Sequence, residues 1–325
     1  MTPRSGKGLV LGKFMPPHRG HQNLIQFAGN FCEQLFVVVG TMPDEPIDGF
    51  LRFKWMQDLA PFAEVRHLHR AMPQQPEEHP EFWRLWREAL CDVLQTDIDW
   101  VFASEPYGFR LAQELGAAFI PYDLARGITP ISATQIRADP AQHWDNLADV
   151  CKPHYLKRIC IFGAESTGKT TLCRALAEHF NTAWVPEYAR LYLEPRGGTC
   201  RYADMRTIAA GHLALTETRA AAARRYLFSD TDLWATTLWS QALFQRCDPD
   251  ISDWAEENRA DLYFLTDPDI PYEADPVRYL PEQRQQFHQS CRDLLIRQGL
   301  PFVEIKGSHP ARVRAASAAL ARFFN

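Results

Sequence analysis

Short apolar runs alternate with longer segments of helical periodicity along this chain. Five short runs, rich in β-branched and aromatic residues, lie in the first half: GLVLG, QLFVVVG, EVRHLH, DWVFASE and AAFIPYD. The segments between them read as amphipathic helices. This alternation is typical of a parallel sheet built from strand–helix–strand units, so the first half is predicted to be an α/β domain.

A second series of the same kind follows. It starts at KRICIFG and continues with TAWVPE, YLFSD, DLYFLTD and PFVEIKG. Between the two series, DVCKPHYLKR contains a lysine–proline step where a helical pattern ends and a new strand begins at about Arg158. A chain of 325 residues is long enough for two domains. We therefore expect two doubly wound parallel-sheet domains, residues 1–157 and 158–325.

Composition and charge narrow the class of protein. A hydrophobic fraction of 46%, a charged fraction of 23% and a net charge of −5 indicate a globular protein and give no sign of nucleic-acid binding. No apolar stretch approaches the ~20 residues that cross a bilayer, and the start lacks the apolar region of an export signal. A cytoplasmic protein without membrane insertion is expected, and the scattered cysteines are predicted to be reduced.

The second half contains a phosphate-binding motif. GAESTGKTT matches G-x-x-x-x-G-K-[ST], with Gly163, Gly168, Lys169 and Thr170 in register between an apolar strand and a helix. Lys169 is expected to neutralise the β and γ phosphates of ATP, and the Thr170 hydroxyl to ligate Mg²⁺. The other motif residues predicted to bind the nucleotide are Glu165, Ser166, Thr167 and Thr171.

Acidic residues follow the strand YLFSD. Asp230 and Asp232 stand where parallel α/β sheets place their working groups. One of them, taken here as Asp230, could hold the magnesium shell, and either could orient or deprotonate an acceptor hydroxyl. The alternative for each is an ordinary helix N-cap. The sequence does not choose between them as the base.

Two further stretches are candidates for binding an acceptor. VPEYAR offers Glu187, Tyr188 and Arg190, which suit a small polar molecule with an aromatic face, although a surface loop is equally compatible. TDPDIPYEADPVRYL is proline-rich and acidic and ends near Arg278, as in a mobile lid or a plain connection. The guanine-reading N-K-x-D pattern is absent, so these residues favour a small-molecule kinase over a GTPase.

The first half carries two histidines directly after its first strand, in GKFMPPHRGHQNL. His18 and His21 lie near a helix N-terminus, where imidazoles can donate hydrogen bonds to a phosphate on which negative charge builds. A zinc site is the competing interpretation, but no third ligand stands at a telling spacing. Later, ISATQIR places Ser132 as a helix N-cap and Arg137 one turn on, suited to a pyrophosphate leaving group.

Together, HRGH at 18–21 and ISATQIR at 131–137 resemble the signatures of the nucleotidylyltransferase superfamily, which has a Rossmann-like fold. The resemblance implies that an acceptor phosphate attacks the α-phosphate of ATP and releases pyrophosphate. It implies that His18 and His21 stabilise the transition state and that Arg137 binds the leaving phosphates. The residues that it assigns to ATP binding are Gly12, Lys13, Phe14, Ser132 and Thr134.

Three more residues of the first half are candidates for contacts with a substrate. Trp83 and Trp86 share a helical face in HPEFWRLWREAL, where they either stack on a nicotinamide or adenine ring or fill the core. Trp83 is taken as a substrate residue. Arg52 in GFLRFKW is a weaker candidate for the acceptor, with a solvated side chain as the alternative.

A nucleotidylyltransferase followed by a P-loop kinase resembles the bifunctional nicotinamide-nucleotide adenylyltransferases/ribosylnicotinamide kinases over essentially the whole chain. The resemblance implies that the second domain phosphorylates nicotinamide riboside to the mononucleotide (NMN) and that the first converts NMN to NAD. ATP, nicotinamide riboside, NMN and NAD are then the small-molecule partners, Mg²⁺ is the cofactor, and a homo-oligomer is left open.

Gly12 lies almost at the first residue, so no helix-turn-helix domain is expected ahead of it and no nucleic acid is expected as a partner.

One alternative function is that of a fusion that acts on another acceptor, such as pantetheine phosphate, because phosphate-binding motifs do not read the acceptor. Another is a non-catalytic sensor of NAD or ATP.

Overall fold

The protein is described by a computed structural model that covers residues 5–272 and 283–324. The chain divides into two compact units, Met1–Tyr155 and Leu156–Asn325. Each unit contains one five-stranded sheet in which every neighbouring pair of strands is parallel. Each of the ten apolar runs overlaps one of the strands, which confirms the predicted α/β fold class. In the described part of the chain, no helix combines the length and apolarity needed to span a membrane.

The first unit alternates strands and helices almost without exception. Its elements are β1 (Lys7–Gly12), α1 (Arg19–Phe31), β2 (Gln34–Thr41), α2 (Gly49–Leu59), β3 (Glu64–His69), α3 (Phe82–Leu94), β4 (Trp100–Ala103), α4 (Tyr107–Leu115), β5 (Ala118–Pro121), α5 (Ala133–Ala138) and α6 (Lys152–Tyr155). The sheet order is β3-β2-β1-β4-β5. The chain therefore reverses its direction of winding between β1 and β4, and a cleft opens there at the carboxyl ends of the strands.

The second unit repeats this plan with a different strand order. Its elements are β6 (Lys157–Phe162), α7 (Lys169–His179), β7 (Trp184–Val185), α8 (Tyr188–Leu193), α9 (Tyr202–Ala220), β8 (Tyr226–Asp230), α10 (Leu233–Phe244), α11 (Pro249–Glu257), β9 (Leu262–Thr266), α12 (Arg284–Arg297), β10 (Phe302–Ile305) and α13 (His309–Phe324). The order β10-β9-β6-β8-β7 places β6 at the centre. The phosphate-binding motif therefore starts at the carboxyl end of the central strand.

Burial explains why the apolar runs form central strands. Val37, Val38 and Val39 in β2 are fully buried, as are Tyr263 and Phe264 in β9. Successive side chains of a strand point to opposite faces, so consecutive buried residues mean that helices cover both faces of each sheet. Polar side chains that could contact a ligand at the ends of the sheets are therefore expected in the loops that follow the strands.

Candidate active sites

The two histidines of the first unit cap helix α1. Nδ1 of His18 accepts a hydrogen bond from the Gly20 N–H at 3.1 Å, and the His18 N–H donates to Nδ1 of His21 at 3.3 Å. A ring nitrogen that accepts a hydrogen bond carries no proton. In the neutral state, each imidazole therefore carries its proton on Nε2, where it is available as a donor.

Burial keeps both histidines uncharged. Their rings are stacked with centroids 3.7 Å apart. Burial is the main cause that lowers the pKa of His18 to about 4, and the positive charge of Arg126 adds to it. The pKa of His21 is held well below its ordinary value by burial, by His18 and by Arg126, in that order. At neutral pH the pair therefore offers hydrogen-bond donors without bringing two positive charges together.

A cavity of about 660 Å³ lies beside the histidine pair. The predicted site residues that line it are Gly12, Lys13, Phe14, His21, Trp83, Thr134 and Arg137. His18 and Ser132 are not among the described residues that line it, and each is the N-cap of a helix. The structure thus brings both sequence motifs of the first half to one cavity.

The second motif of the first unit orients Arg137. Ser132 caps α5, and its Oγ accepts a hydrogen bond from the Gln135 N–H at 3.3 Å. One turn later, the Arg137 guanidinium donates to the Met15 carbonyl and to Oγ1 of Thr134 at 3.2 Å. The contact with Met15 joins this motif to the loop that carries the histidines. The cationic side chain is held at the rim of the cavity.

Arg52 does not contact the cavity as the sequence suggested. Its side chain is fully buried, with Nε donating to the Ile47 carbonyl at 3.1 Å and Nη1 to the Lys13 carbonyl at 2.7 Å. Its guanidinium also pairs with Glu45, which lies 3.2 Å from the Lys13 ammonium. Arg52 therefore fixes the backbone of Lys13. Sequence reasoning missed Glu45, because one acidic residue in a loop carries no signal.

The two tryptophans of α3 lie both at the cavity and at the core. Trp83 and Trp86 line the cavity and also pack against the core on that face of the sheet. The indole N–H of Trp86 donates to the Pro73 carbonyl at 2.9 Å, which fixes this ring. The Arg110 guanidinium lies 6.0 Å from the Trp83 ring. The substrate contact of Trp83 stays a prediction.

The phosphate-binding loop of the second unit requires glycine at its first position. Gly163 has φ +138°, and a Cβ there would lie 2.6 Å from Oγ1 of Thr266. Lys169 opens α7, and its ammonium donates to the Ala164 carbonyl at 2.8 Å across the loop. Thr167 is buried, and its hydroxyl bonds the same carbonyl at 2.8 Å. The loop is therefore shaped by its own residues and by the end of β9.

Two arginines that were not predicted from the sequence donate hydrogen bonds to backbone carbonyls of this loop. Arg312 in α13 donates to the Thr167 carbonyl at 2.6 Å and to the Gly307 carbonyl at 2.9 Å. Arg284 in α12 donates to the Ser166 carbonyl at 2.8 Å. Both arginines stand more than a hundred positions after the motif, so no local spacing links them to it.

Asp230 and Thr170 meet at the phosphate end of the second site. The Thr170 hydroxyl donates to Oδ2 of Asp230 at 2.5 Å. Within the described residues, Oδ1 of Asp230 is buried without a hydrogen-bond partner. Burial and then the nearby charge of Glu187 raise the pKa of Asp230 to about 6. A buried oxygen without a partner beside a hydroxyl fits a hard cation such as Mg²⁺.

Asp232 has a different environment. It is the N-cap of α10, where Oδ1 accepts from the Ala235 N–H at 3.2 Å and Oδ2 accepts from the Tyr263 hydroxyl at 2.7 Å. Burial raises its pKa to about 6. In the described part of the chain, neither Asp230 nor Asp232 lines the neighbouring cavity. Asp232 thus matches the N-cap alternative in its contacts, and its catalytic role stays a prediction.

A cavity of about 300 Å³ extends from the phosphate-binding loop. The predicted residues that line it are Glu165, Ser166, Thr167, Gly168, Lys169, Thr170, Thr171, Glu187, Tyr188 and Arg190. Residues that were not predicted complete the wall, among them Met205, Ile208, His212 and Trp239. Arg190 forms an ion pair with Glu194 at 2.9 Å. Arg278 and most of the predicted lid lie outside the described residues.

Metal ligands can be assessed for residues 5–272 and 283–324. No group of three histidine, cysteine, aspartate or glutamate side chains there could hold a metal ion. Mg²⁺ in nucleotide sites commonly uses one or two protein ligands and takes its other ligands from phosphates and water. Thr170 and Asp230 are a set of that kind.

Fold and site geometry define the class of protein. One unit is a Rossmann-like domain with a histidine pair at its switch point, and the other is a P-loop domain of the kinase kind. A protein-family model described as an AAA domain matches residues 158–312, within the second unit.

Known proteins that are similar to this chain identify the kind of two-domain enzyme that it resembles. The chain is 28% identical to the trifunctional NAD biosynthesis/regulator protein NadR of Salmonella typhimurium, over 94% of this chain and 80% of that protein. A crystal structure of NadR protein in complex with NR matches at TM-score 0.80 and 23% identity, covering 99% of this chain and 98% of that chain. A crystal structure of NadR protein in complex with NAD and AMP-PNP matches at TM-score 0.78 and 23% identity, with 98% and 96% covered. The resemblance to fused adenylyltransferase–kinase enzymes is confirmed.

Proposed function

We propose that this chain makes NAD from nicotinamide riboside in two ATP-dependent steps. The second unit transfers the γ-phosphoryl group of ATP to the riboside, giving NMN. The first unit joins NMN to the adenylyl group of ATP, giving NAD and pyrophosphate. The observation that carries this proposal is the presence of two cavities, each beside its own phosphate-binding motif, in a chain similar to NadR along 94% of its length.

In the kinase step, the second unit positions the triphosphate and the acceptor. The backbone of the loop and Lys169 bind the β and γ phosphates, and Thr170 and Asp230 hold Mg²⁺. When bound, Mg²⁺ neutralises the charge that develops on the transferred phosphoryl group. Positioning and charge stabilisation supply most of the catalysis in this class of reaction.

The acceptor hydroxyl must lose its proton. Glu165 and Glu187 both line the cavity, and Glu187 lies outside the phosphate-binding loop, so Glu187 is the carboxylate that we choose to take it. Glu187 lines the cavity, whereas both oxygens of Asp232 are hydrogen-bonded within the core. The charge of Glu187 raises the pKa of Asp230, so the two carboxylates lie close enough to interact. We assign Glu187 as the base and Asp230 to the cation.

In the adenylyl step, the attacking oxygen belongs to the phosphate of NMN and is already ionised at neutral pH, so no general base is needed. Nε2–H of His21 donates to the α-phosphate as charge builds there, and His18 holds the ring of His21 in place. Thr134, Arg137 and Lys13 bind the departing pyrophosphate. Because the two histidines are neutral, Arg137 and Lys13 supply the positive charge that faces the pyrophosphate.

Separate substitutions in the two units test this assignment. Lys169→Ala is expected to abolish NMN formation from riboside, ATP and Mg²⁺ while the conversion of NMN to NAD continues, both followed by mass spectrometry. His21→Ala is expected to do the reverse. The matched controls are Lys306→Ala, at an exposed lysine directly after β10, and His143→Ala, at a half-buried histidine in the segment after α5, and both are expected to keep both activities. Loss of both activities from either site substitution would contradict independent sites.

A further inference from the structure

One buried histidine in the second unit is not used by the mechanism above. His212 lies in the middle of α9, is 5% exposed and lines the kinase cavity. Its backbone carbonyl accepts the Thr216 hydroxyl at 2.8 Å. Among the residues that the structure describes, its imidazole has no hydrogen-bond, ion-pair or ring partner.

An imidazole is the exceptional side chain along its part of the cavity wall. Its neighbours along this wall include the apolar side chains of Leu193, Met205 and Ile208. No ring nitrogen of His212 is among the fully buried partnerless atoms of the described residues, so the imidazole presents its polar atoms to the space of the cavity. Leucine or methionine would suit the helix and the wall better. The imidazole therefore points to a polar group that a ligand brings into the cavity.

The neighbouring residue shows that α9 is built to lie close to the site. At Gly211, a Cβ would fall 2.0 Å from Cε1 of Tyr188, so the tyrosine ring occupies the space of a side chain. Tyr188 and Trp239 both line the cavity. His212 thus shares its cavity with two aromatic rings suited to stacking on a planar base.

The charge of the site also favours one kind of acceptor. Burial lowers the pKa of His212 to about 4, so the ring is neutral at physiological pH. A neutral imidazole offers one donor and one acceptor. A protonated one would repel the pyridinium cation of nicotinamide riboside.

We propose that His212 binds the acceptor of the kinase, making a hydrogen bond from its imidazole to a polar group of the riboside. This assignment rests on the proposed function of the second unit. The phosphate-binding loop accounts for the triphosphate, and the wall that carries His212 is left for the acceptor. His212 is then a specificity residue for the riboside.

Kinetics of three substitutions test the assignment. His212→Leu removes the hydrogen bond and is expected to raise KM for nicotinamide riboside by roughly tenfold or more, with KM for ATP nearly unchanged. His212→Asn keeps a polar atom near the place of Nδ1, and His212→Gln keeps one near Nε2. The variant that restores KM identifies the nitrogen in use. Thr216→Val, one turn along α9, is the matched control and is expected to leave both KM values unchanged.

Stability separates binding from a structural role. Removal of a partnerless buried polar group is expected to leave Tm of His212→Leu unchanged or higher, whereas loss of a structural contact lowers it. An unchanged KM for the riboside in active His212→Leu, or an equal rise of KM for both substrates, would overturn the assignment of His212. Neither result would contradict the proposed kinase function. A wild-type chain that does not phosphorylate the riboside would overturn the proposed function as well.

Discussion

The capped histidine pair predicts an acid sensitivity that a single substitution reduces. His18→Asn keeps a side-chain oxygen that can cap α1, since asparagine is a good N-cap residue, but it deletes the titratable ring. In the folded chain the pKa of His18 is about 4, against about 6.5 for an ordinary histidine. As the pH falls, the unfolded chain therefore binds a proton at His18 at a higher pH than the folded chain does.

Proton binding at His18 makes the free energy of unfolding depend on pH. Stability rises with pH wherever the unfolded state binds more protons, so the contribution of His18 falls as the pH drops from 6.5 towards 4. At pH 5 the unfolded ring is mostly protonated and the folded ring mostly neutral. His18 alone then lowers the free energy of unfolding by about 2 kcal/mol relative to pH 8.

Two measurements check this prediction. In NMR titrations, the ring resonance of His18, assigned by its loss in His18→Asn, is expected to keep its chemical shift between pH 8 and about 5.5. In denaturant unfolding, the loss of stability between pH 8 and pH 5 is expected to be smaller in His18→Asn than in the wild type by about 2 kcal/mol. A ring that titrates near pH 6.5, or the same pH dependence in both chains, would refute the reasoning.

Three further predictions concern the kinase unit. Glu187→Gln keeps the shape of the side chain but cannot accept a proton, so kcat for NMN formation is expected to fall by roughly a hundredfold or more while adenylylation is unchanged. Asp230→Asn is expected to raise the Mg²⁺ concentration for half-maximal kinase activity, measured by titration; an unchanged curve would remove Asp230 from the cation site. Gly211→Ala forces the Tyr188 ring to move and is expected to raise KM for the riboside with little change for ATP, as read from initial rates.

The fold could be predicted from the sequence because the patterns that indicate its strands and motifs are local. Runs such as QLFVVVG and YLFSD are apolar along their length, as strands covered on both faces must be. The phosphate-binding loop and the histidine motif are also local, since each is a turn between one strand and one helix. The residues of both motifs can therefore be located from the order of amino acids alone.

Residues that act from a distance gave no such signal. Arg312 and Arg284 reach the loop from helices that only the tertiary fold brings near it. Arg52 looked like a solvated or ligand-binding side chain, because an isolated arginine in a helix does not reveal buried carbonyl partners. His212 was missed because α9 carries polar and apolar residues without a clear face.

The bond from Arg312 to the Thr167 carbonyl bears on the order in which the protein acquires its activities during synthesis. Every strand and helix of the first unit has been translated by residue 155, whereas the loop at 163–171 waits for an arginine translated about 140 residues later. A ribosome-bound chain halted before α13 emerges should therefore be able to adenylylate NMN but not yet hold ATP firmly in its kinase pocket.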